Sequence, residues 1–481
     1  MSDPDVVVVG SGPNGLAAAV TLAAARLKVL VIEGQDTPGG GCRTTELTLG
    51  GYQHDVCASV HPLAVQSSFF RQFDLAAHGV RLLQPQVVFA HPLDGGRAGI
   101  ARRSVTDTAT GLGVDGPRYR RVMGPLVKDG EGVAGWILSA ERRPPPQPLA
   151  MLRFGLLGGG PMSLLGRLFR TDEARGLLAG VAAHSMRPLS SPPTAGVGLL
   201  LTVLGHHTGW PVVEGGSGRL VGALVAHLER LGGTVELGRW IESLQELPPA
   251  RAVLLDLSPR QLLRLAGDRL PAGYRRALRR YRYGPGICKV DFALAGPVPW
   301  TNPECRLAPT LHLGGTLEEI ATGEREVARG HHPQAPYVLA VQASVVDRSR
   351  APGDGQTLWA YCHVPPGSDF DMTDRIEAQI ERFAPGFRDL ILARVSRTAR
   401  AQEAYDPTCV GGDIGCGAQT VWQTFARPVL RWDPYCTPLS DTYLCSAATI
   451  PGPGVHGLCG QLAALSCLRH TFGVSEPPSL N

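Results

Sequence analysis

Two short apolar runs near the start of the chain flank an alanine-rich segment. Residues 5–9 (DVVVV) form a β-branched run without polar interruption, which is typical of a strand buried in a parallel sheet. Residues 16–26 have the composition of a helix, and residues 28–32 form a second apolar run that ends at Glu33. The pattern therefore predicts a strand, a helix and a second strand that is followed by an acid.

A glycine-rich turn joins the first strand to the helix. Its spacing, GSGPNG, is that of a dinucleotide-binding turn, in which the glycines permit the tight bend, the approach of a pyrophosphate and close helix packing. The helix N-terminus offers oriented N–H groups to the phosphates, and Glu33 is placed to accept hydrogen bonds from a ribose. The nucleotide-binding residues predicted from this segment are Gly10, Gly12, Pro13, Asn14, Gly15 and Glu33.

A second glycine cluster decides which dinucleotide is expected. Gly40, Gly41 and Arg43 belong to a Gly-Gly-x-x-Arg segment that follows Glu33 closely, as in FAD-binding proteins that resemble glutathione reductase. Consecutive glycines let the backbone pass close to a cofactor, and the guanidinium group of Arg43 offers a fork of donors to phosphate. Glu33 also disfavours the 2′-phosphate of NADP by charge repulsion. FAD is therefore the predicted cofactor.

Two later segments of the chain are also expected to belong to the dinucleotide-binding domain. Residues 218–231 show helical spacing of leucines and lead into a strand from Thr234. In FAD-binding proteins that resemble glutathione reductase such a unit returns to the nucleotide domain, and this resemblance implies that Ile241 packs against adenine. Residues 252–256 then read as another core strand, and the segment before it is too short for a full β-meander.

The C-terminal part of the chain contains a strand, a glycine-rich loop and a helix. The loop includes Gly454, Val455 and His456, and a helix is predicted from Gln461 to Arg469. In a flavoprotein, the N–H groups of Val455 and His456 would face the flavin edge that becomes negative on reduction. We expect the backbone of His456 to matter more than its ring.

These segments together resemble the phytoene-desaturase-like flavoproteins of the amine oxidase and carotenoid desaturase superfamily. The resemblance covers nearly the whole chain, including GGGCRT at 39–44, HDVCASVHP at 54–62 and PGPGVHG at 451–457. One departure is Ser446-Ala-Ala-Thr449, where the family usually has Gly-Ala-Gly-Thr, so that side chains crowd the approach of the cofactor phosphate and ribitol.

The resemblance implies an α/β fold in which a Rossmann-type FAD-binding domain of the glutathione-reductase kind is interleaved with an α+β substrate-binding domain. The FAD-binding domain is expected to comprise residues 1–60, 211–262 and 400–481, and the substrate domain residues 61–210 and 263–399.

Flavin chemistry is expected to supply most of the reactivity. Hydride transfer from an apolar or natural-product-like small molecule to the flavin is the first hypothesis, with oxygen or a quinone as reoxidant. His54, Asp55 and His61 are candidate proton-handling groups, with structural roles as the alternative for each. A flavin-dependent isomerase or cyclase without net oxidation is a second hypothesis. A third is a binding protein similar to Rab GDP dissociation inhibitors, against which the intact nucleotide motifs argue.

Composition narrows the choice of partners. The net charge is +4, and basic residues are scattered without an aromatic-interleaved stripe, so nucleic acid is not an expected partner. Eleven cysteines without a CxxC pair and histidines without ligand spacing predict no metal site.

The apolar stretch from Met151 to Arg170 is more typical of a substrate-lining or core helix than of a segment on a membrane surface. We expect the protein to be cytoplasmic.

Overall fold

The structure is a computed structural model that describes residues 3–139 and 144–480. Its strands are β1 (Val6–Val9), β2 (Val29–Ile32), β3 (Thr44–Glu46), β4 (Gln53–Asp55), β5 (Leu82–Leu83), β6 (Phe89–Pro92), β7 (Ala98–Ala101), β8 (Val212–Val213), β9 (Thr234–Glu236), β10 (Ala252–Leu255), β11 (Gly286–Leu294), β12 (Thr310–Leu313), β13 (Val338–Val341), β14 (Gln356–Val364), β15 (Ile391–Arg397) and β16 (Thr442–Leu444).

The α-helices connect and cover these strands. They are α1 (Pro13–Ala24), α2 (Pro62–Gln66), α3 (Ser68–Phe73), α4 (Val105–Gly111), α5 (Gly116–Lys128), α6 (Gly130–Leu138), α7 (Pro148–Gly158), α8 (Met162–Leu165), α9 (Asp172–Ala182), α10 (Thr194–His207), α11 (Gly218–Arg230), α12 (Pro259–Ala266), α13 (Ala272–Arg279), α14 (Leu317–Ala328), α15 (Thr373–Phe383), α16 (Ala399–Tyr405), α17 (Val421–Phe425) and α18 (Leu458–Phe472).

The first of the two large sheets is parallel and has the strand order β16-β10-β1-β2-β9. Val6 of β1 is paired with Ala252 of β10 on one side and with Val29 of β2 on the other. The four residues of β1 are buried, because helices cover both faces of a parallel sheet. All five strands end at the same edge, and the glycine-rich turn after β1 lies there.

The first and last helices pack tightly beside this sheet. A Cβ atom built on Gly460 of α18 would lie 1.8 Å from the carbonyl oxygen of Asn14 in α1, so only a glycine allows the two helices to approach this closely. The C-terminal segment of the chain is thereby fixed against the turn that follows β1.

A second, mostly antiparallel sheet has the order β15-β11-β14-β13-β12-β6-β7. Its strands follow the two-residue alternation of a sheet that is covered on both faces. Leu339 and Val341 of β13 face the core formed with α9 and α10, whereas Val338 and Ala340 face the core that contains α15. The observed α/β fold with a Rossmann-type domain and a second mixed domain is the predicted one.

The two sheets alternate along the chain. The strands of the parallel sheet lie within residues 1–60, 211–262 and 400–481, and those of the large mixed sheet lie within 61–210 and 263–399. As the short segment after β9 predicts, no full β-meander forms there, and one 3-10 turn, Leu244–Glu246, precedes β10.

Candidate functional site: a dinucleotide cradle joined to an apolar chamber

The turn after β1 packs against the carboxyl end of β10. Gly10 has a positive φ of 99°, which favours glycine. A Cβ atom on Gly15 would lie 2.2 Å from the carbonyl oxygen of Gly10, so a side chain there would separate the helix from the turn. The backbone N–H of Gly15 donates to the Asp256 carboxylate at 2.9 Å. A carboxylate therefore lies at the N-terminus of α1.

Asp256 is a residue that the motif reasoning missed. The strand before Asp256 was predicted correctly. An acid at the carboxyl end of a core strand could have indicated that Asp256 lies at the ligand-binding edge of the sheet. Burial, reinforced by the negative charges of Asp406 and Glu33, raises the pKa of Asp256 to about 7, although the hydrogen bond from Gly15 opposes this shift.

Glu33 lies at the end of β2 with both carboxylate oxygens engaged. Oε2 accepts hydrogen bonds from the backbone N–H of Ser11 at 3.0 Å and from its hydroxyl at 2.5 Å. Oε1 accepts from the backbone N–H of Gln35 at 3.0 Å and lies 3.3 Å from the guanidinium group of Arg43. The carboxylate borders the cavity in the place expected for a ribose, but a ribose hydroxyl would have to share or replace these donors.

The second glycine cluster faces the first. A Cβ atom on Gly40 would lie 3.1 Å from the Cα atom of Gly12, so the two turns form the opposing sides of a narrow cradle. Gly41 and Arg43 also line the cavity. Arg43 donates to the carbonyl oxygen of Thr37 at 2.9 Å as well as pairing with Glu33, so its contact with phosphate remains a prediction.

One polar group in the cradle has no hydrogen-bond partner in the described part of the chain. Asn14 lines the cavity beside Pro13, and its side-chain oxygen is buried without a hydrogen-bond partner in the described part of the chain. An unpaired buried amide oxygen costs free energy, which a ligand donor relieves. Together with the glycine cradle and the N–H groups at the start of α1, Asn14 fits a bound dinucleotide.

The far end of the cradle carries an exposed tryptophan. Trp240 is 54% exposed and lies against Gly34, where a Cβ atom would be 2.7 Å from the indole ring. Ile241, the residue expected beside adenine, lines the same part of the cavity. Trp240 precedes Ile241 directly and provides an aromatic surface there that the sequence reasoning did not single out.

The C-terminal loop borders the cavity as expected, whereas the His456 side chain does not. Gly454 and Val455 line the cavity. The His456 ring is buried; it accepts a hydrogen bond from the backbone N–H of Leu458 at 3.0 Å and contacts the carbonyl oxygen of Gly452 at 3.1 Å. Burial lowers the pKa of His456 to about 4. The ring therefore holds the loop together, and α18 begins at Leu458, three residues before the predicted start.

The cradle continues into a second chamber, and the whole cavity has a volume of about 1460 Å³. Pockets for one drug-sized ligand have volumes of roughly 300–1,000 Å³, so the space fits a dinucleotide together with a small molecule. The described lining residues in ranges 61–139, 144–210 and 284–361 include no Asp, Glu, Lys or Arg. Aromatic and large apolar side chains dominate this chamber: Trp136, Ile137, Leu138, Met151, Phe154, Met186, Leu200, Leu201, Trp210, Leu339, Val341, Trp359 and Tyr361.

His61 is the one member of the predicted proton-handling group that reaches the cavity. Its Nε2 lies 2.8 Å from the hydroxyl of Ser217, which itself donates to the carbonyl oxygen of Ala58 at 2.5 Å. Nε2 must therefore carry the proton, and Nδ1 keeps a free lone pair and has no partner among the described residues. Burial lowers the pKa of His61 to about 4, so the ring is neutral near pH 7.

His54 and Asp55 lie behind the cavity wall, which corrects the expectation that they face the substrate. Asp55 is fully buried and accepts hydrogen bonds from Arg350 at 3.0 Å and from the Ser59 hydroxyl at 2.7 Å. His54 is held by the Thr48 hydroxyl at 2.7 Å, and burial lowers the pKa of His54 to about 4. The sequence could not show this, because the direction of each side chain depends on how β4 packs.

A histidine pair in the chamber wall was not foreseen. His184 lines the cavity, and its Nε2 lies 2.9 Å from Nε2 of His312, which is fully buried on β12. Burial and the nearby His363 lower the pKa of His184 to about 3. The pair spans 128 residues of sequence, so no local motif could reveal it.

One group of potential metal ligands lies outside the cavity. In the described ranges, Asp433, Cys436 and His470 place ligand atoms within 4.8 Å of one another. Asp433 also accepts a hydrogen bond from the Ser466 hydroxyl at 2.6 Å, which accounts for its position without an ion. The expectation of no metal site therefore stays a prediction.

Known proteins are similar to this chain over parts of it and over nearly its whole length. Residues 8–74 match the family model of the NAD(P)-binding Rossmann-like domain. The chain is 25% identical to pyridine nucleotide-disulfide oxidoreductase domain-containing protein 2 of Rattus norvegicus, over 96% of this chain and 92% of that protein. A shorter match, 54% identical over 50 residues, is to hydroxyneurosporene desaturase of Rhodobacter capsulatus and covers 10% of each chain.

The fold is also that of a solved enzyme structure. Cyclohexylamine oxidase of Brevibacterium oxydans superimposes with a TM-score of 0.61 at 15% identity, covering 97% of this chain and 99% of that one. At this identity the likeness concerns the fold alone.

The two glycine turns form a dinucleotide-binding cradle, the start of the chain matches a Rossmann-like domain, and nearly the whole chain is similar to an oxidoreductase domain-containing protein. The short match to hydroxyneurosporene desaturase agrees with the resemblance to phytoene-desaturase-like flavoproteins inferred from the motifs. The cradle fits FAD, the predicted cofactor, and the glycine turns, the N-terminus of α1, Asn14 and Glu33 are the groups that would hold it.

Proposed function

We propose that the protein is an FAD-dependent dehydrogenase, desaturase or oxidase that acts on an apolar or natural-product-like small molecule. The observation that carries this proposal is the continuity between the dinucleotide cradle and a chamber whose described lining, in ranges 61–139, 144–210 and 284–361, has no charged side chain. Such a wall binds apolar surface by removing it from water and offers no carboxylate to pair with an ammonium group of a substrate.

When bound, FAD supplies an acceptor for a hydride from the substrate. The chain contributes the chamber that excludes water and orients the substrate. Trp359 and Tyr361 lie on β14 with stacked rings whose centroids are 5.8 Å apart, and they present a flat aromatic surface to the chamber. This surface suits a planar or unsaturated apolar substrate.

Oxidation of a carbon–carbon or carbon–heteroatom bond also releases a proton, and His61 is placed to accept it. Leu63, two residues after His61, packs against Gly454 of the C-terminal loop, and His61 and Gly454 line the same cavity. Nδ1 of His61 has no partner among the residues that the structure describes and keeps a free lone pair, and Ser217 fixes the orientation of the ring. In this proposal His61 is the general base.

Anaerobic spectroscopy of the purified protein tests the proposal. Addition of a suitable apolar substrate, such as a polyene or a polycyclic alcohol, is expected to bleach the oxidised flavin absorbance and to yield a product two hydrogens lighter. Conversion of the substrate to an isomer of the same mass, with no net bleaching, would overturn the oxidoreductase proposal in favour of an isomerase or cyclase.

A further inference from the structure

Two hydroxyl groups in the wall of the chamber lack a hydrogen-bond partner. Ser185 and Thr310 both line the cavity and are 1% and 2% exposed. The side-chain oxygen of each is buried without a hydrogen bond to any residue that the structure describes. A buried hydroxyl without a partner costs free energy, and most buried polar groups in native proteins are paired. Two such groups in one apolar wall indicate a place where a ligand supplies the missing hydrogen bonds.

The fold brings these two residues to one region of the wall. Ser185 ends the 3-10 turn Ala183–Ser185 that follows α9, and His184 of this turn contacts His312 of β12. Thr310 lies two residues before His312 on the same strand, so the two side chains project from the same face of β12. The turn therefore packs against the face of the sheet that carries Thr310.

His184 adds an N–H group to this region. Burial lowers the pKa of both His184 and His312, so each ring carries one proton near pH 7. Their Nε2 atoms lie 2.9 Å apart, so one of these atoms is protonated and donates to the other. Nδ1 of His312 is buried without a partner in the described part of the chain, and a proton there would be an unpaired buried donor. His312 therefore carries its proton on Nε2, and His184, which accepts it, carries its own on Nδ1.

The charge around these groups selects the kind of ligand. No Asp, Glu, Lys or Arg is among the described lining residues in ranges 61–139, 144–210 and 284–361. A carboxylate, phosphate or ammonium group would lose its hydration there without an ion partner, which is costly. A hydroxyl or carbonyl oxygen loses much less, and it can accept from the N–H group of His184 and from the two hydroxyls. The group that fits is a neutral oxygen.

We propose that His184, Ser185 and Thr310 form a subsite that binds a hydroxyl or carbonyl group of the substrate. This inference rests on the proposed function and narrows its substrate class to apolar molecules that carry a neutral oxygen, as opposed to pure hydrocarbons. We call these three residues the oxygen subsite.

The register of the mixed sheet shows where the oxygen subsite lies in the chamber. Thr310 is paired with Val341, and Val341 is paired with Trp359, so the three form one row across β12, β13 and β14. Two strand spacings, about 10 Å, separate Thr310 from Trp359. The indole N–H of Trp359 donates to the Ser59 hydroxyl at 2.7 Å, at the end of the row opposite Thr310. Because His61 follows Ser59 by two residues, we expect the bound oxygen to orient the substrate and not to react.

Binding of three compounds with one carbon skeleton tests the oxygen subsite. The steroid hydrocarbon androstane, the ketone androstanone and the alcohol androstanol are rigid molecules that differ in a single oxygen group. Their Kd values are measured on the FAD-loaded protein under anaerobic conditions, from quenching of tryptophan fluorescence. Thr310→Val and Ser185→Ala should each weaken binding of the ketone about three- to tenfold, because each removes a hydrogen bond to the oxygen. Binding of androstane should change by less than about twofold.

The stability of the protein without steroid gives a second, independent readout. Thr310→Val removes an unpaired buried hydroxyl and fills the same space, so the thermal unfolding midpoint should rise by about 1–3 °C. Thr202→Val is the matched control, because Thr202 is buried on α10, is not among the residues that line the cavity and donates to the carbonyl oxygen of Gly198 at 2.7 Å. The control should not raise the midpoint and should leave ketone binding unchanged.

Three outcomes would overturn the oxygen subsite. The first is equal weakening of ketone and hydrocarbon binding in Thr310→Val, or unchanged ketone binding in both subsite variants. The second is a lower unfolding midpoint of Thr310→Val, which would show that its hydroxyl serves the fold. The third is failure of all three steroids to bind. Flavin bleaching in the same samples reports on the proposed function alone, so ketone binding that depends on Thr310 supports the subsite whether or not the flavin is reduced.

Discussion

The carboxylate of Asp256 accepts a hydrogen bond from the backbone N–H of Gly15 at the N-terminus of α1, at a distance of 2.9 Å. A helix N-terminus in this position is where the pyrophosphate of a dinucleotide binds. Two anions there would repel each other unless the carboxyl group keeps its proton. Burial and the neighbouring Asp406 and Glu33 raise the pKa of Asp256 to about 7, which makes the proton available near neutral pH.

The first prediction is that FAD affinity depends on the protonation of Asp256. Affinity should fall as the pH rises through about 7, by up to about tenfold per pH unit, because the ionised carboxylate faces the pyrophosphate. Asp256→Asn keeps the size of the side chain and removes the charge. Fluorescence titration of the apoprotein with FAD should give a flat pH profile for this variant, and an unchanged slope would contradict the assignment.

The raised pKa of Asp256 also makes the stability of the apoprotein depend on pH. Asp256 holds its proton to about pH 7 in the folded chain, whereas an unfolded Asp releases it near about pH 3.9. Between these two pH values the folded state therefore binds more protons than the unfolded state. The contribution of Asp256 to the free energy of unfolding is complete below about pH 3.9 and is lost as the pH rises through about 7.

A second prediction concerns Glu33. Glu33→Ala should weaken FAD binding by about one to two orders of magnitude, because it removes charge-assisted hydrogen bonds at the ribose position and the carboxylate that holds Ser11. Glu236→Ala, an exposed glutamate on the neighbouring strand β9, is the control and should change little. Full FAD occupancy of Glu33→Ala after dialysis would disprove the ribose assignment.

A third prediction separates the two histidines that the sequence grouped together. His61→Gln should slow flavin reduction by substrate about 10²- to 10⁴-fold while FAD remains bound, because a general base is lost. His54→Gln, which alters a buried histidine behind the cavity wall, should leave that rate much closer to normal. Stopped-flow reduction under anaerobic conditions measures both.

The pH profile gives a further test of His61. Its lone pair is lost only when the ring is protonated, and the pKa of His61 is lowered to about 4. The rate should therefore fall on the acid side near pH 4 rather than near the ordinary histidine value of about 6.5. Equal rates in the two glutamine variants would rule out His61 as the base.

A fourth prediction treats Asp55 as a structural residue. Burial alone would raise the pKa of Asp55, but Arg350 and hydrogen bonds from Ser59, Ser217 and Thr44 outweigh it, so the pKa is lowered. The ion pair therefore stabilises the protein above the unfolded pKa of about 3.9, and this contribution is lost as the pH falls through the folded value.

Asp55→Ala leaves the Arg350 guanidinium buried and short of a partner, which should cost about 3–5 kcal/mol of unfolding free energy. Denaturant unfolding of the apoprotein measures this loss. If Asp55→Ala were as stable as the unmodified protein but inactive, Asp55 would have a catalytic role and not a structural one.

A fifth prediction follows from the His456 ring. His456→Ala removes the acceptor for Leu458 and the contact with Gly452, and it should destabilise the protein by about 2–4 kcal/mol. His331→Ala, at an exposed histidine, is the control. A thermal unfolding midpoint equal to that of the control would show that the backbone alone holds this loop.

The nucleotide half of the site could be predicted because its signals are local. The turn from Gly10 to Gly15, the acid at Glu33 and the strands on either side follow one another in sequence, and their spacing alone defines a strand–turn–helix unit. The residues that complete the cradle from other strands needed the fold: Asp256 lies 241 positions from its partner Gly15.

The chamber could not be predicted in the same way. His184 and His312 meet although 128 residues separate them in sequence. The neighbours His54 and Asp55 point into a buried network because of how β4 packs on β3 and on Arg350. Sequence adjacency gives no information on which side of a strand faces a cavity that distant segments create. The segment from Met151 to Arg170 shows a related limit, since its apolar pattern fits both a chamber wall and an exposed surface.

The identity of the cofactor released from the purified protein tests the central claim most directly. The protein should purify yellow, and acid or heat should release a chromophore with the mass of FAD, because the cradle between Gly12 and Gly40 holds the dinucleotide without a covalent bond. A colourless protein that takes up no added FAD would contradict the account.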